Sequence, residues 1–114
     1  KLLSDKMKLN ILILTLMTGE ELIANVKDHT EKIDGVEQKV CYSITYPFRL
    51  QTSGPIEGKT AQLTLVPWKF WSCDTSFLLG YDKILNMCTP LKDVTEQYTL
   101  AVDNFIKALA ETQQ

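Results

Sequence analysis

The sequence has no surplus of basic residues, and its charge composition limits the functions open to it. Its 114 residues include 12 basic and 14 acidic side chains, which gives a formal net charge of -2. Most nucleic-acid-binding domains carry a basic surplus, because neutralising phosphate supplies much of their affinity. Any nucleic-acid contact of this chain would therefore need a local patch.

Cysteine and histidine are also scarce. The three cysteines, Cys41, Cys73 and Cys88, are odd in number and far apart, which argues against a disulfide framework. The single histidine, His29, does not complete a zinc-binding spacing with them. We therefore predict that the cysteines are small, buried, free thiols, that no metal is bound, and that the protein is cytoplasmic, because free thiols persist in reducing compartments.

Membrane-spanning and catalytic patterns are missing as well. The apolar run from Leu9 to Met17 is too short to span a membrane, and Thr-Gly-Glu-Glu follows it instead of a signal-peptide cleavage site. There is no Walker loop, no dinucleotide-binding glycine pattern and no G-x-S-x-G motif. We expect neither a membrane protein nor an enzyme, and no cofactor.

The residues that are present predict one domain organised around a hairpin. Hydrophobic residues make up 45% of the chain, enough for a core without disulfides. Between Leu9 and Asp28, two strands flank a tight turn at residues 18–20. The first strand is apolar on both faces, so we expect other elements to cover both sides. In the second strand, one face carries Leu22, Ala24 and Val26.

Further strand patterns follow this hairpin. After Asp28 a polar stretch is predicted to be a loop that ends in the turn signal Asp34-Gly35. An alternating strand then runs from Val36 to a bend at Pro47, with Tyr42, Ile44 and Tyr46 on one face. Residues 51–59 read as a loop, residues 60–71 as a strand, and residues 77–87 as a short strand or strand pair. We predict about five strands between residues 9 and 88, preceded by a flexible extension at residues 1–8.

An amphipathic helix is predicted at the end of the chain. Thr89-Pro90 is a typical helix start, and apolar residues then recur at helical spacing up to Leu109. We place the helix at about residues 90–111. Its apolar face is expected to cover either the open end of a barrel or a neighbouring subunit.

The segment Pro-Trp-Lys-Phe-Trp at residues 67–71 is unusually aromatic. If it continues the preceding strand, Trp68 and Phe70 share one face, and Lys69 and Trp71 share the other. Core or interface packing is the more common role of such residues. The alternative is that Lys69 and Trp71 stack on bases and hold a phosphate.

Residues 14–26, L-T-L-M-T-G-E-E-L-I-A-N-V, resemble the first motif of Sm-like proteins, with Gly19 at the turn glycine and Ala24 near a position often held by glycine. The likeness is closest to small Sm-like proteins of tailed phages, including marine cyanophages. It extends to Pro47, to Pro67-Trp68, and to a tail with Leu85, Pro90 and Gln97-Tyr98. The resemblance implies an all-β fold: a small, strongly bent, five-stranded antiparallel barrel, here with a C-terminal helix.

The resemblance also implies a function. Sm-like proteins form rings by pairing the last two strands of neighbours, and many bind single-stranded RNA near the pore. We therefore expect a ring of about five to seven subunits that binds single-stranded RNA or acts as an RNA chaperone. The arginine of the second motif is absent before Gly80, so the family's uridine-binding residues are not transferred. The equivalent loops offer instead His29, Lys32, Tyr81 and Lys83. The alternative is a phage accessory module that binds proteins, in the cytoplasm of the host cell, without nucleic acid.

Overall fold

The computed structural model describes residues 9–53 and 62–112, which form six strands, one 3-10 turn and one helix. The strands are β1 (Ile11–Leu16), β2 (Glu21–Ile33), β3 (Val36–Ser53), β4 (Gln62–Pro67), β5 (Ser76–Leu79) and β6 (Ile84–Cys88). The 3-10 turn is Tyr81–Lys83, and helix α1 is Lys92–Thr112. The predicted extension at residues 1–8, and residues 54–59 of the predicted loop, lie outside the described residues.

The strands form one antiparallel sheet in the order β4-β3-β2-β1-β6, and β5 pairs separately with β3. The prediction of an all-β fold with a C-terminal helix is confirmed. Two details were wrong, because the sheet has six strands rather than five and it does not close into a barrel. Within the described residues, no pairing joins β6 to β4 or β5.

The predicted first hairpin is present. β1 and β2 pair from Ile11–Asn25 to Thr15–Glu21, and Gly19 in the turn has a φ of +93°. That backbone conformation is costly for a residue with a Cβ atom, so glycine suits this position.

The two faces of β1 contribute to two different cores, as its apolar pattern predicted. The inner core contains Leu14, Leu16, Leu22, Ala24, Val26 and Ile44, and side chains from β5 and β6 pack against it. β5 pairs with the side of β3 that faces away from β2, and β6 pairs with the side of β1 that faces away from β2, so the sheet must curl around this core.

The helix-side core lies on the other face of the sheet. Its buried members are Ile23, Phe48, Tyr98 and Val102, and side chains from β1, β3, β4 and α1 complete it. Helix α1 therefore packs across the outer face of its own sheet. It starts at Lys92, two residues after Pro90, so the predicted start was slightly early.

The bend in β3 lies at Tyr46, whose φ is +51°. N-terminal to the bend, residues 42–45 pair with β5; C-terminal to it, residues 48–53 pair with β4. The Tyr98 hydroxyl donates to the Tyr46 carbonyl oxygen at 2.8 Å and lies 3.3 Å from that of Thr45. A helix side chain therefore holds the bend.

This bend also changes which face Tyr46 occupies. Strict alternation predicted that Tyr42, Ile44 and Tyr46 share one face, but Tyr46 packs in the helix-side core while Tyr42 and Ile44 belong to the inner core. The prediction was wrong because the positive φ interrupts the period-two geometry of a regular strand.

Beyond the cores, β2 and β3 continue as a two-stranded arm, defined here as residues 27–33 and 36–41. Its turn, Asp34-Gly35, has φ values of +53° and +80°, as a type I′ hairpin turn requires. The polar stretch after Asp28 was predicted to be irregular. It is instead a strand, paired from Asp28–Tyr42 to Ile33–Val36.

The sheet has two open edges. β6 pairs only with β1, and β4 and β5 pair only with β3, among the residues described. Apolar side chains are exposed beside both edges: Leu78 on β5 is 60% exposed, and Leu85 on β6 is also 60% exposed. Unpaired backbone groups flanked by apolar side chains favour association with another strand.

Candidate nucleic-acid interface

A cleft lies at the base of the arm, where β1, β2, β3 and β6 come together. It has a volume of about 780 Å³. Its lining, which we call the arm-base cleft, consists of Leu9, Asn10, Leu12, Val26, Lys27, Asp28, Lys39, Tyr42 and Met87. This size falls within the range of small-molecule pockets and could hold one nucleotide.

Asn10 fastens the first wall of the cleft to β2. Its backbone N–H donates to Oδ1 of the buried Asn25 at 2.9 Å, and its side-chain amide donates to the Val26 carbonyl at 3.2 Å. The Val26 N–H in turn donates to the Asn10 carbonyl at 2.9 Å. These three bonds fix the wall before any ligand enters.

The cleft combines apolar side chains with a charged rim of mixed sign. Leu12, Val26 and Met87 supply apolar surface, whereas Lys27, Asp28 and Lys39 carry charge. Lys39 Nζ lies 3.3 Å from Asp28 Oδ2, with both side chains largely open to water. Exposed pairs of this kind contribute little to stability, so the Lys39 ammonium can exchange this partner for a phosphate at small cost.

Two tyrosines meet at the rim. Tyr42 lines the cleft, and Tyr81 packs edge-to-face against it with ring centroids 4.7 Å apart and an interplanar angle of 86°. Tyr81 is 41% exposed. Desolvation and the nearby Asp28 carboxylate raise the pKa of Tyr81 above its ordinary value. A tyrosine hydroxyl is protonated at neutral pH even without such a shift, so it is available as a hydrogen-bond donor.

The predicted residues His29 and Lys32 lie on the arm rather than in a loop. His29 Nε2 is 3.4 Å from Glu31 Oε2, and His29 pairs with Cys41 across the arm. Thr30 pairs with Lys39, which lines the cleft together with Asp28, and Lys32 lies two residues further along β2 on the same face as Thr30. That face leads to the cleft, about 13 Å along β2 from Asp28 to Lys32.

Tyr81 and Lys83 belong to the 3-10 turn. Lys83 Nζ is 3.9 Å from Asp82 Oδ2, and both side chains are exposed. The structure places Tyr81 against the Tyr42 ring at the cleft, with Lys83 in the same 3-10 turn. Lys32 lies on the adjoining face of the arm, and His29 lies on the opposite face.

Lys69 and Trp71 lie elsewhere, in a turn after β4. The predicted strand over residues 60–71 ends at Pro67, so the alternation assigned to residues 68–71 was wrong. Trp68 does pack against the inner core, but Phe70, predicted to share its face, is 67% exposed. Trp71 is 72% exposed, as the alternative role required.

Sequence reasoning missed Asn10, Lys39 and Tyr42. Tyr42 was placed in a strand, and nothing in the local pattern distinguishes it from an ordinary core residue. The pairing of Asp28 with Tyr42 and of Thr30 with Lys39 brings them to the cleft. Only the register of β2 against β3 could have identified Lys39 and Tyr42, whereas Asn10 is positioned by its hydrogen bonds to β2.

The described residues also bear on metal binding, on the state of the cysteines and on membrane spanning. In residues 9–53 and 62–112, no group of three or more His, Cys, Asp or Glu side chains could hold a metal ion. Cys73 and Cys88 are free and exposed, and Cys41 is free and half-buried, so the prediction that all three are buried was wrong. The helix described here is not long and apolar enough to cross a membrane.

No protein-family model matches the chain, and no curated protein matches it. Neither comparison assigns a role to the arm-base cleft.

Proposed function

We propose that this chain is a ring-forming Sm-like protein that binds single-stranded RNA in the cytoplasm. The observation that carries the proposal is the meeting of Tyr42, Tyr81 and Lys39 at the arm-base cleft. Aromatic faces stack on unpaired bases, and a lysine beside them can contact the phosphate.

The open edges support the ring. In the Sm-like arrangement, neighbours pair through their last two strands. Here the last strand, β6, forms one edge of the sheet, and the preceding strands β4 and β5 form the other. Exposed Leu78 and Leu85 would be covered by that pairing. A closed ring of about five to seven copies would remove every unpaired edge, which is the common solution to an edge-strand hazard.

Light scattering after size exclusion, at two salt concentrations, tests the assembly. We expect a stable mass of about five to seven subunits, because each edge is paired by a neighbour. A monomer at both salt concentrations would contradict the ring.

Anisotropy titration with an unstructured RNA tests the ligand. Tyr81→Ala should weaken binding by roughly five- to hundredfold, the effect of one lost base–aromatic stack. Lys32→Ala and Lys83→Ala should each weaken binding and reduce its salt dependence, by about 0.7 per phosphate contact on a logarithmic scale. Lys107→Ala removes an exposed lysine from helix α1 and should change nothing. Binding that is absent or independent of salt would refute the RNA proposal.

The second candidate is an interaction module that binds proteins, such as a phage accessory protein. The net charge of -2 favours it, since this balance supplies no general attraction to phosphate. Recovery of one stoichiometric protein partner and no RNA in a pull-down would support this alternative over the first.

A further inference from the structure

The turn after β4, residues 68–71, which we call the aromatic turn, is fixed at both ends. The Trp68 N–H donates to the Pro47 carbonyl oxygen at 3.0 Å, and the Ser72 N–H donates to the Lys69 carbonyl oxygen at 2.9 Å. The Trp68 ring packs edge-to-face on Phe77 with centroids 5.7 Å apart, against the inner core. The turn is therefore anchored to the core, so its exposed side chains stand on a rigid base.

Two large aromatic rings of this turn are exposed to solvent. Phe70 is 67% exposed and Trp71 is 72% exposed. Their centroids lie 4.8 Å apart at an interplanar angle of 78°, so the two rings pack edge-to-face against each other. Neighbouring exposed aromatic side chains commonly mark a binding surface.

A positive charge lies directly beside these rings. Lys69 Nζ is 4.5 Å from the Trp68 ring centroid and 6.0 Å from that of Trp71. Among the described residues, no carboxylate lies within ion-pair distance of this ammonium group. Within residues 9–53 and 62–112 this ammonium group contacts aromatic faces and no carboxylate, so its charge is available to an anion.

We propose that the aromatic turn is a second contact point for single-stranded nucleic acid, with one base stacked on Trp71 and the adjoining phosphate on Lys69. Exposed aromatic rings interleaved with a cation are the elements of sequence-tolerant single-strand binding. A membrane surface fits less well, because one lysine contributes only about 1 kcal/mol of attraction to anionic lipid. This proposal rests on the proposed function only for the class of ligand, which is single-stranded nucleic acid.

The aromatic turn and the cleft are distinct but close enough to act on one strand. Tyr42 lines the cleft, and the turn is bonded to Pro47, five residues further along β3. Five residues of extended strand span at most about 17 Å. A few nucleotides could bridge this separation, so each subunit would hold one single strand at two points.

The test compares a single-stranded oligonucleotide with an abasic oligomer of the same length, by anisotropy. Trp71→Ala should weaken binding of the base-bearing strand by roughly five- to hundredfold and leave binding of the abasic strand unchanged. Trp71→Phe should retain most of the affinity, because it keeps a stacking ring. Leu100→Ala removes a 62% exposed apolar side chain from helix α1 and serves as the matched control.

Parallel titration of Tyr81→Ala separates the two sites. If Trp71→Ala weakens binding and Tyr81→Ala does not, the aromatic turn is supported and the cleft is refuted. If only Tyr81→Ala weakens binding, the second contact point is overturned while the proposed function stands. It is also overturned if Trp71→Ala changes the mass of the assembly, which would make the turn a subunit interface. Loss of binding to phosphatidylserine vesicles, with oligonucleotide binding unchanged, would overturn it equally.

Discussion

Removing the Tyr98 hydroxyl should destabilise the protein by releasing the bend in β3. In Tyr98→Phe the ring remains in the helix-side core, where Tyr98 is fully buried, but the 2.8 Å bond to the Tyr46 carbonyl is lost. The 3.3 Å contact with the Thr45 carbonyl oxygen is lost as well. The variant therefore tests the hydrogen bonds separately from the packing.

The expected cost follows from the burial of these partners. A buried donor or acceptor left without its partner costs about 1–3 kcal/mol, so we expect the free energy of unfolding to fall by about 2 kcal/mol. That is a large share of the roughly 5–15 kcal/mol that stabilises a typical domain. At about 4 °C per kcal/mol, the melting temperature should drop by about 8 °C.

Urea denaturation at pH 7 measures this directly, with the midpoint expected to fall and the slope to remain unchanged. Tyr42→Phe is the matched control, since no hydrogen bond of the Tyr42 hydroxyl is seen among the described residues. It should change stability by less than about 0.5 kcal/mol. If Tyr98→Phe is as stable as this control, the hydroxyl does not hold the bend and the reasoning fails.

Two further predictions concern pH and the arm. Burial raises the pKa of Tyr98 above its ordinary value of 10.0, so above that pH the unfolded chain loses the proton first and stability falls as pH rises. Tyr98→Phe should show a shallower alkaline decline in denaturation midpoints, and an identical decline would contradict this cause. Gly35 has a φ of +80° and open space around it, so Gly35→Ala should strain only the backbone, by about 1 kcal/mol. Hydrogen exchange should then quicken about fivefold in the arm and not in β1, because the arm can open locally; equal acceleration in both would refute local opening.

The sequence predicts the cores well because burial leaves a strong periodic pattern there. β1 is apolar on both faces, and it does separate two cores. The apolar face predicted for helix α1 is confirmed for the same reason, because Tyr98 and Val102 on that face are buried. Where one or both faces of a strand or helix must be apolar, the spacing of apolar residues predicts whether that segment is a strand or a helix.

The predictions fail where burial leaves no pattern. The arm is largely exposed on both faces, so its β2 strand shows no apolar alternation and residues 29–33 were predicted to be irregular. The stabilisation comes instead from pairing with β3 and from bonds such as Thr30 Oγ1 to Glu37 Oε1 at 3.0 Å, which no single-strand pattern reveals. The cleft was missed for the same reason, because Lys39 and Tyr42 reach it through register and not through local sequence.

The bend in β3 connects the fold to both proposed binding points. On one side of Tyr46, β3 carries Tyr42 to the arm-base cleft; on the other, Pro47 accepts the hydrogen bond that anchors the aromatic turn. The left-handed backbone conformation of Tyr46 is unfavourable for a residue with a side chain, so a contact from outside the strand must stabilise it. Tyr98 of helix α1 makes that contact. The helix is thus more than a cover for the sheet. By fixing the angle at Tyr46, it sets the distance between the cleft and the aromatic turn, and hence how a single strand could engage both.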